Sequence, residues 1–183
     1  GHNLALEVVR RGAGVSMIDG LEVNNLLSLH SAANKQAERD LYLSVINERL
    51  ELLRSANVPL YVEDARDYHR LSLMFSQIKP QVVVLLAAVA HASRSNKDPY
   101  HTFDHSFPTL ENALDNSRNI IEHFIYFSSS MVYGNSQESA VTEETVCNPL
   151  GIYGALKFGG EKLVIAYNQV FNLPYTIVRP SAL

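Results

Sequence analysis

Apolar and polar positions alternate between two periods along the chain. Leu4, Ala5, Val8 and Val9 form a helical stripe in NLALEVVRRG, closed by Gly12. VSMID, 15–19, is a short apolar run ending in an acid, which predicts a buried strand. The Gly12/Gly14 pair lies between the two and reads as a helix-to-strand turn. After a polar stretch, residues 35–56 place Leu41, Val45, Ile46, Leu50 and Leu53 on one side of a long helix. PLYVEDA, 59–65, predicts the next strand, and RLSLMFSQIK a helix that stops before Pro80. QVVVLLAA, 81–88, is a nearly wholly apolar strand, a pattern that expects cover on both faces. Residues 98–118 are helical in pattern, with an interruption and kink expected at Pro108. HFIYFSSS, 123–130, predicts a strand, 153–171 a helix, and YTIVRP, 175–180, a last strand. Strands alternating with helices at this spacing imply an α/β fold, a doubly wound parallel sheet in right-handed crossovers. No repeat, low-complexity tract or linker divides residues 1–183, so a single domain is expected.

Composition narrows the partners. The 183 residues are 46% hydrophobic and 19% charged, enough for one domain with a core. A net charge of -4, with Lys and Arg scattered, leaves no electrostatic footprint for nucleic acid and favours small-molecule work. The longest apolar run, VVVLLAAVA at 82–90, is under half of the ~20 residues a membrane helix needs. The lone Cys147 forms no internal disulfide and reads as a packed or surface thiol. With no signal peptide visible, a cytoplasmic protein without membrane partners is expected.

In a doubly wound sheet, ligands collect at the carboxyl ends of the strands. Asp19 ends the first strand, eighteen residues after Gly1, where an acid accepts hydrogen bonds from a ribose diol; an ordinary turn aspartate reads the same way. Asp64 and Ala65 end the next strand and Ala87 and Ala88 the third, where small side chains admit a flat ligand or simply pack a helix. Ser128, Ser129 and Ser130 close the fourth. Tyr153 and Lys157 then share one helix face, since four residues make about one turn. By itself that pair is compatible with chance. His101 and His105 also lie four apart, but no third ligand is evident in the sequence, so no metal is expected and a solvated or packed pair is the ordinary reading. His91 follows the apolar strand as a loop residue with no assigned role.

In their order along the chain, GHNLALEVVRRG, SMIDGL, YVEDARD, VVVLLAAVAHASRSNKDP, YFSSSMVYG, PLGIYGALKFGGEKL and LPYTIVRPSAL resemble the extended short-chain dehydrogenase/reductase superfamily, and within it the NAD-dependent epimerase/dehydratase family. The resemblance implies a Rossmann-like NAD-binding domain that acts on a nucleotide sugar. Counting back from Val132, Tyr133 and Gly134 puts the family's catalytic hydroxyl on Ser129, with Ser130 next to it on the substrate side. Tyr153 and Lys157 match the family's Y-x-x-x-K, and Glu161 an acid often found one turn on. Cofactor contacts are then expected from Gly1, Asp19, Asp64, Ala65, Leu86, Ala87, Ala88, Tyr153, Lys157 and Pro180, and substrate contacts from Ser129, Ser130 and Tyr153. A homodimer is expected as in relatives.

The chemistry expected of the triad follows from charge. A phenol with a reference pKa near 10 must drop by about three units to act as a base near neutrality, roughly 4 kcal/mol of phenolate stabilisation. A lysine ammonium one turn away and an oxidised nicotinamide provide the positive charge. Ser129 then donates to the substrate oxygen as it alternates between alcohol and ketone.

Several positions depart from the family pattern. Only Gly1, the last glycine of G-x-x-G-x-x-G, is present, so the strand that precedes this loop in the family and the C-terminal substrate lobe are expected to lie outside this chain, and the isolated segment is expected to be unstable and inactive. Ser106, Pro108 and Ala182 stand where relatives carry Asn, Gly and Asn. Ser130-Met131 replaces the Asp-Glu of sugar dehydratases, which favours epimerisation over dehydration or decarboxylation. Asp19-Gly20 without an adjacent arginine favours NAD over NADP. Two alternatives stay open at this level: a reductase of a keto-sugar or other carbonyl, and a non-catalytic dinucleotide sensor.

Overall fold

The computed structural model describes residues 1–22, 36–88, 92–135 and 140–181, with the side chains of 37, 38 and 92–94 outside that description. These residues form two compact units, Gly1–Asp64 and Ala65–Leu183.

In the first unit, helix α1 (His2–Arg10) leads to strand β1 (Met17–Ile18), and helix α2 (Gln36–Ser55) to strand β2 (Leu60–Tyr61). β1 and β2 pair in parallel, Met17 beside Leu60 and Ile18 beside Tyr61. Ala5, Leu53 and Val58 are the buried centre, with Leu6, Val9 and Met17 packed around them. The stripe expected on α2 is covered only in part. Ile46 and Leu53 are buried, but Leu41 is 64% exposed, because it lies in the second turn, far from the core that the helix's C-terminal half builds with α1.

The second unit contains α3 (Tyr68–Ile78), β3 (Val82–Leu85), α4 (Ala92–Lys97), α5 (Pro99–Ser117), β4 (His123–Phe127), a 3-10 turn (Ser130–Tyr133), α6 (Gly151–Phe171) and β5 (Tyr175–Val178). Its sheet is parallel in the order β3-β4-β5, with Val84 beside Ile125 and Ile125 beside Thr176. Local chemistry sets the boundaries. Asp67 caps α3 by accepting from the Arg70 amide at 3.0 Å, and Lys79 ends it in the left-handed region at φ 49°. Asp98 caps α5 in the same way, accepting from His101 N at 3.1 Å, with Pro99 in the first turn where its missing N–H costs nothing. α5 runs through Pro108 as one helix, so the expected interruption is absent.

Period-two burial on β4 turns Phe124 and Tyr126 inward, and Phe124, Leu110, Leu114, Val132, Val164 and Leu173 form the core between the sheet and α5 and α6. β3 departs from expectation. Leu85 is buried, but Val82 and Val84 on its other face are 48% and 38% exposed. The near-continuous apolar run predicted two covered faces, whereas among the described residues β3 pairs only with β4. The other strands are also shorter than predicted, and the serine run leaves β4 after Phe127 to form the 3-10 turn.

Candidate active site

The site grows from the end of β4. After Phe127 the chain stays tied to β5: Ser128 N donates to Val178 O at 2.8 Å and Ser130 N to Pro180 O at 3.0 Å. Between them Ser129, in extended backbone, caps the 3-10 turn by accepting from Met131 N at 3.2 Å. That bond uses a lone pair and leaves the hydroxyl proton free to donate. Ser128 and Ser129 are both buried, and among the described residues the Ser128 hydroxyl has no hydrogen-bond partner.

α6 brings the second half. It starts at Gly151, so Tyr153 sits in its first turn and Lys157 one turn on. A side chain at Gly154 would place its Cβ 2.8 Å from Met131 O, so the helix start abuts the serine turn as only glycine allows. Deeper along the helix, any Cβ at Gly160 would collide with the Tyr126 hydroxyl. The small residues on this face let α6 lie close to β4, and Lys157 extends across the gap to donate from Nζ to Phe127 O at 2.7 Å. Its ammonium also lies 5.1 Å from the centre of the Tyr126 ring, a cation-π distance. Tyr153 and Lys157 line one cleft with Ala87, Ala88, Ser106 and Tyr126.

Burial sets the charges here. Lys157 is 7% exposed, and burial lowers its pKa to about 8 from 10.5. The Tyr126 phenol is pushed above its ordinary value, first by burial and then by the Glu161 and Tyr153 side chains. Glu161, 1% exposed, is gripped twice by Arg179, which donates from Nε to Oε1 at 2.9 Å and from Nη2 to Oε2 at 2.8 Å. Arg179 Nη1 donates to the Tyr133 hydroxyl at 3.0 Å.

The other expected residues are placed as follows. Gly1 precedes α1 and accepts from Ala5 N at 3.1 Å, the position of a helix-opening glycine. Asp19 follows β1 directly, and its Oδ1 accepts from Leu21 N at 2.7 Å in a turn of the ordinary kind; Oδ2 takes no part in that turn. Asp64 is exposed beyond β2, and Ala65 O accepts from Asn112 Nδ2 at 3.0 Å. Leu86 is 39% exposed past β3. The Ser106 hydroxyl bonds back to Thr102 O at 2.6 Å, within its own helix. The His101 and His105 rings are tilted at 43° with their centroids 4.0 Å apart, and Arg66 Nη1 lies 2.8 Å from His105 Nε2. His91 and Ala182 lie outside the described residues. Two participants were not picked out from sequence. Tyr126 carried a signal, a polar tip on an inward position of β4; Arg179 carried another, a charge in an otherwise apolar strand.

Residues 16–183 match the model of the NAD dependent epimerase/dehydratase family. The chain belongs to that family. It is 30% identical over 181 residues to the protein CapI of Staphylococcus aureus, covering 98% of this chain and 49% of that relative. It is also 30% identical to the dTDP-D-glucose 4,6-dehydratase of Dictyostelium discoideum, covering 75% of this chain and 35% of the relative. The fold matches a UDP-glucose 4-epimerase of Thermotoga maritima with UDP-glucose, at a TM-score of 0.78 and 22% identity, over 98% of this chain and 51% of that one. The chain thus spans about half the length of the family members it matches. Among the described residues no helix is long and apolar enough to cross a membrane.

Proposed function

We propose that this segment carries the catalytic hydroxyl, phenol and ammonium of an NAD-dependent nucleotide-sugar epimerase working through a transient ketone. The observation that carries the reading is the junction of Lys157 with the end of β4: the bond to Phe127 O, together with Gly154 against Met131, sets the Tyr153 turn beside the Ser129 turn.

The residues present suit the cofactor that the family name implies. Among the described residues the buried Ser128 hydroxyl lacks a partner, Lys157 has donors beyond the one given to Phe127 O, and Ala87 and Ala88 keep the cleft wall low. NAD, when bound, supplies hydride acceptance and return. Lys157 would hold the nicotinamide ribose hydroxyls; taken by itself, the first unit offers the Asp19 carboxylate, which would accept from a ribose diol. Tyr153 takes the proton from the sugar hydroxyl as a ketone forms, and gives it back as the inverted alcohol forms. Ser129 donates to the same oxygen throughout, its lone pair already engaged by Met131 N. Lys157 keeps a positive charge next to the phenol, since a pKa of about 8 leaves it mostly protonated at neutrality.

Epimerisation is preferred to dehydration because Ser130-Met131, right after Ser129, brings no carboxyl group to protonate a departing hydroxyl. The test is Tyr153→Phe in the full protein chain, with UDP-glucose and UDP-glucuronate as probe substrates. Retained NAD binding with turnover reduced by about 10²–10⁴-fold is the expected result. Unchanged turnover refutes the role given to Tyr153, and a wild-type chain that binds NAD but turns over neither probe supports the sensor.

A further inference from the structure

Lys157 and Glu161 are one helical turn apart on α6 and both are buried. A buried amine and carboxylate at that spacing are natural partners for each other. Yet the Lys157 ammonium bonds Phe127 O, while both Glu161 oxygens face Arg179. Burial lowers the Lys157 pKa.

We propose that Arg179 is a positioning residue: its fork turns the Glu161 carboxylate away from Lys157, so that the ammonium stays at the end of β4 and on the cleft. This deepens the reading given above for the same site, but the first measurement below stands without it. The groups around the pair support the division. Tyr126 from β4 packs against this face of α6, its ring under Lys157 and its hydroxyl against Gly160. Tyr153 precedes Lys157 on α6, and α5 brings Ser106, Phe107 and Leu110 to the cleft without a charge. Arg179 is itself held in place by the Tyr133 hydroxyl at 3.0 Å and by Glu143 O at 3.3 Å. The next residue, Pro180, accepts from Ser130 N, so the strand end that orients Glu161 also orients the serine turn.

Without Arg179, Lys157 is the cation on Glu161's own helix that shares its face, four residues back, since Lys162, the next residue, lies over the Phe158 ring. An ammonium captured there leaves Phe127 O and the cleft together. An opposite charge at contact range raises an amine by roughly one to three pH units.

The experiment is a pH titration of the Lys157 Nζ group by ¹³C NMR of ε-labelled lysine in the full protein chain, with the signal assigned by its loss in Lys157→Arg. Arg179→Met is expected to raise the Lys157 midpoint by about one unit or more. Arg179→Met/Glu161→Leu, which removes both charges, is expected to bring it back to the wild-type value, something the loss of a mere cross-link cannot do. An unmoved midpoint in the single variant overturns the proposal, as does a raised midpoint that persists in the double variant. Should Arg179→Met fail to fold, Arg179→Lys, which keeps the charge and loses the fork, replaces it, with a smaller rise expected and no rise overturning the idea. Turnover is measured alongside. A wild-type chain inactive on every UDP-sugar probe removes the epimerase reading and leaves the Lys157 titration to decide the role of Arg179.

Discussion

A charged lysine that burial holds at a pKa of about 8 weakens the fold that contains it, and this can be measured. Take Lys157→Met, which keeps the length and apolar stem of the side chain and removes its charge. The folded pKa lies below the unfolded value of 10.5, so between pH 8 and 10.5 the unfolded chain binds more protons and stability rises with pH. Below pH 8 the penalty is fully present. Its size is the pKa difference times about 1.36 kcal/mol, or ~3 kcal/mol as an upper figure. Against this, methionine leaves Phe127 O without its donor, a pH-independent loss of about 1–2 kcal/mol. Guanidinium denaturation of the full chain and of the variant, at intervals from pH 7 to 10.5, isolates the effect, because other titrating groups cancel in the difference. At pH 7 the methionine variant is expected to match or exceed wild type while losing turnover. As pH climbs the balance tips toward wild type by ~3 kcal/mol in total. A difference that stays flat across that range refutes the argument that burial of charge, rather than a compensated bond, governs this lysine.

Two further substitutions test the packing that builds the site. Gly154→Ala drives a Cβ toward Met131 O, a backbone atom with no rotamer to escape through, so turnover in the full chain is expected to fall at least about 10-fold with NAD affinity less affected; equal activity would mean that the two turns do not depend on their contact. Leu114→Ala, at a fully buried position on α5, is expected to cost about 2–5 kcal/mol in chemical denaturation, and a loss under ~1 kcal/mol would place Leu114 outside the core.

The order of elements was legible because apolar periodicity carries it. The helical pattern of 98–118, the strand expected from 123 and the helix expected over 153–171 each match an element of the right kind in the right place. Element ends were less legible. The serine run reads as the end of the strand although three hydroxyls are unusual there, and the structure ends β4 at Phe127, with Ser129 capping a 3-10 turn that starts at Ser130 by accepting from the Met131 amide. Pro108 reads as an interruption because a proline removes one N–H, yet α5 absorbs it; that choice belongs to the packing around the helix rather than to local propensity. The open face of β3 was also invisible, since an apolar run says nothing about which neighbours cover it.

For this protein the sequence alone determined the class of fold, the shared face of Tyr153 and Lys157 and the family, because periodicity, a four-residue spacing and collinear motifs are one-dimensional properties. Which carbonyl anchors the lysine, which guanidinium claims Glu161 and which glycines let α6 close on the serine turn were decided only in three dimensions. Those pairs join residues 18 to 34 positions apart, and contacts over such separations are set by how the layers pack, a property no local pattern encodes.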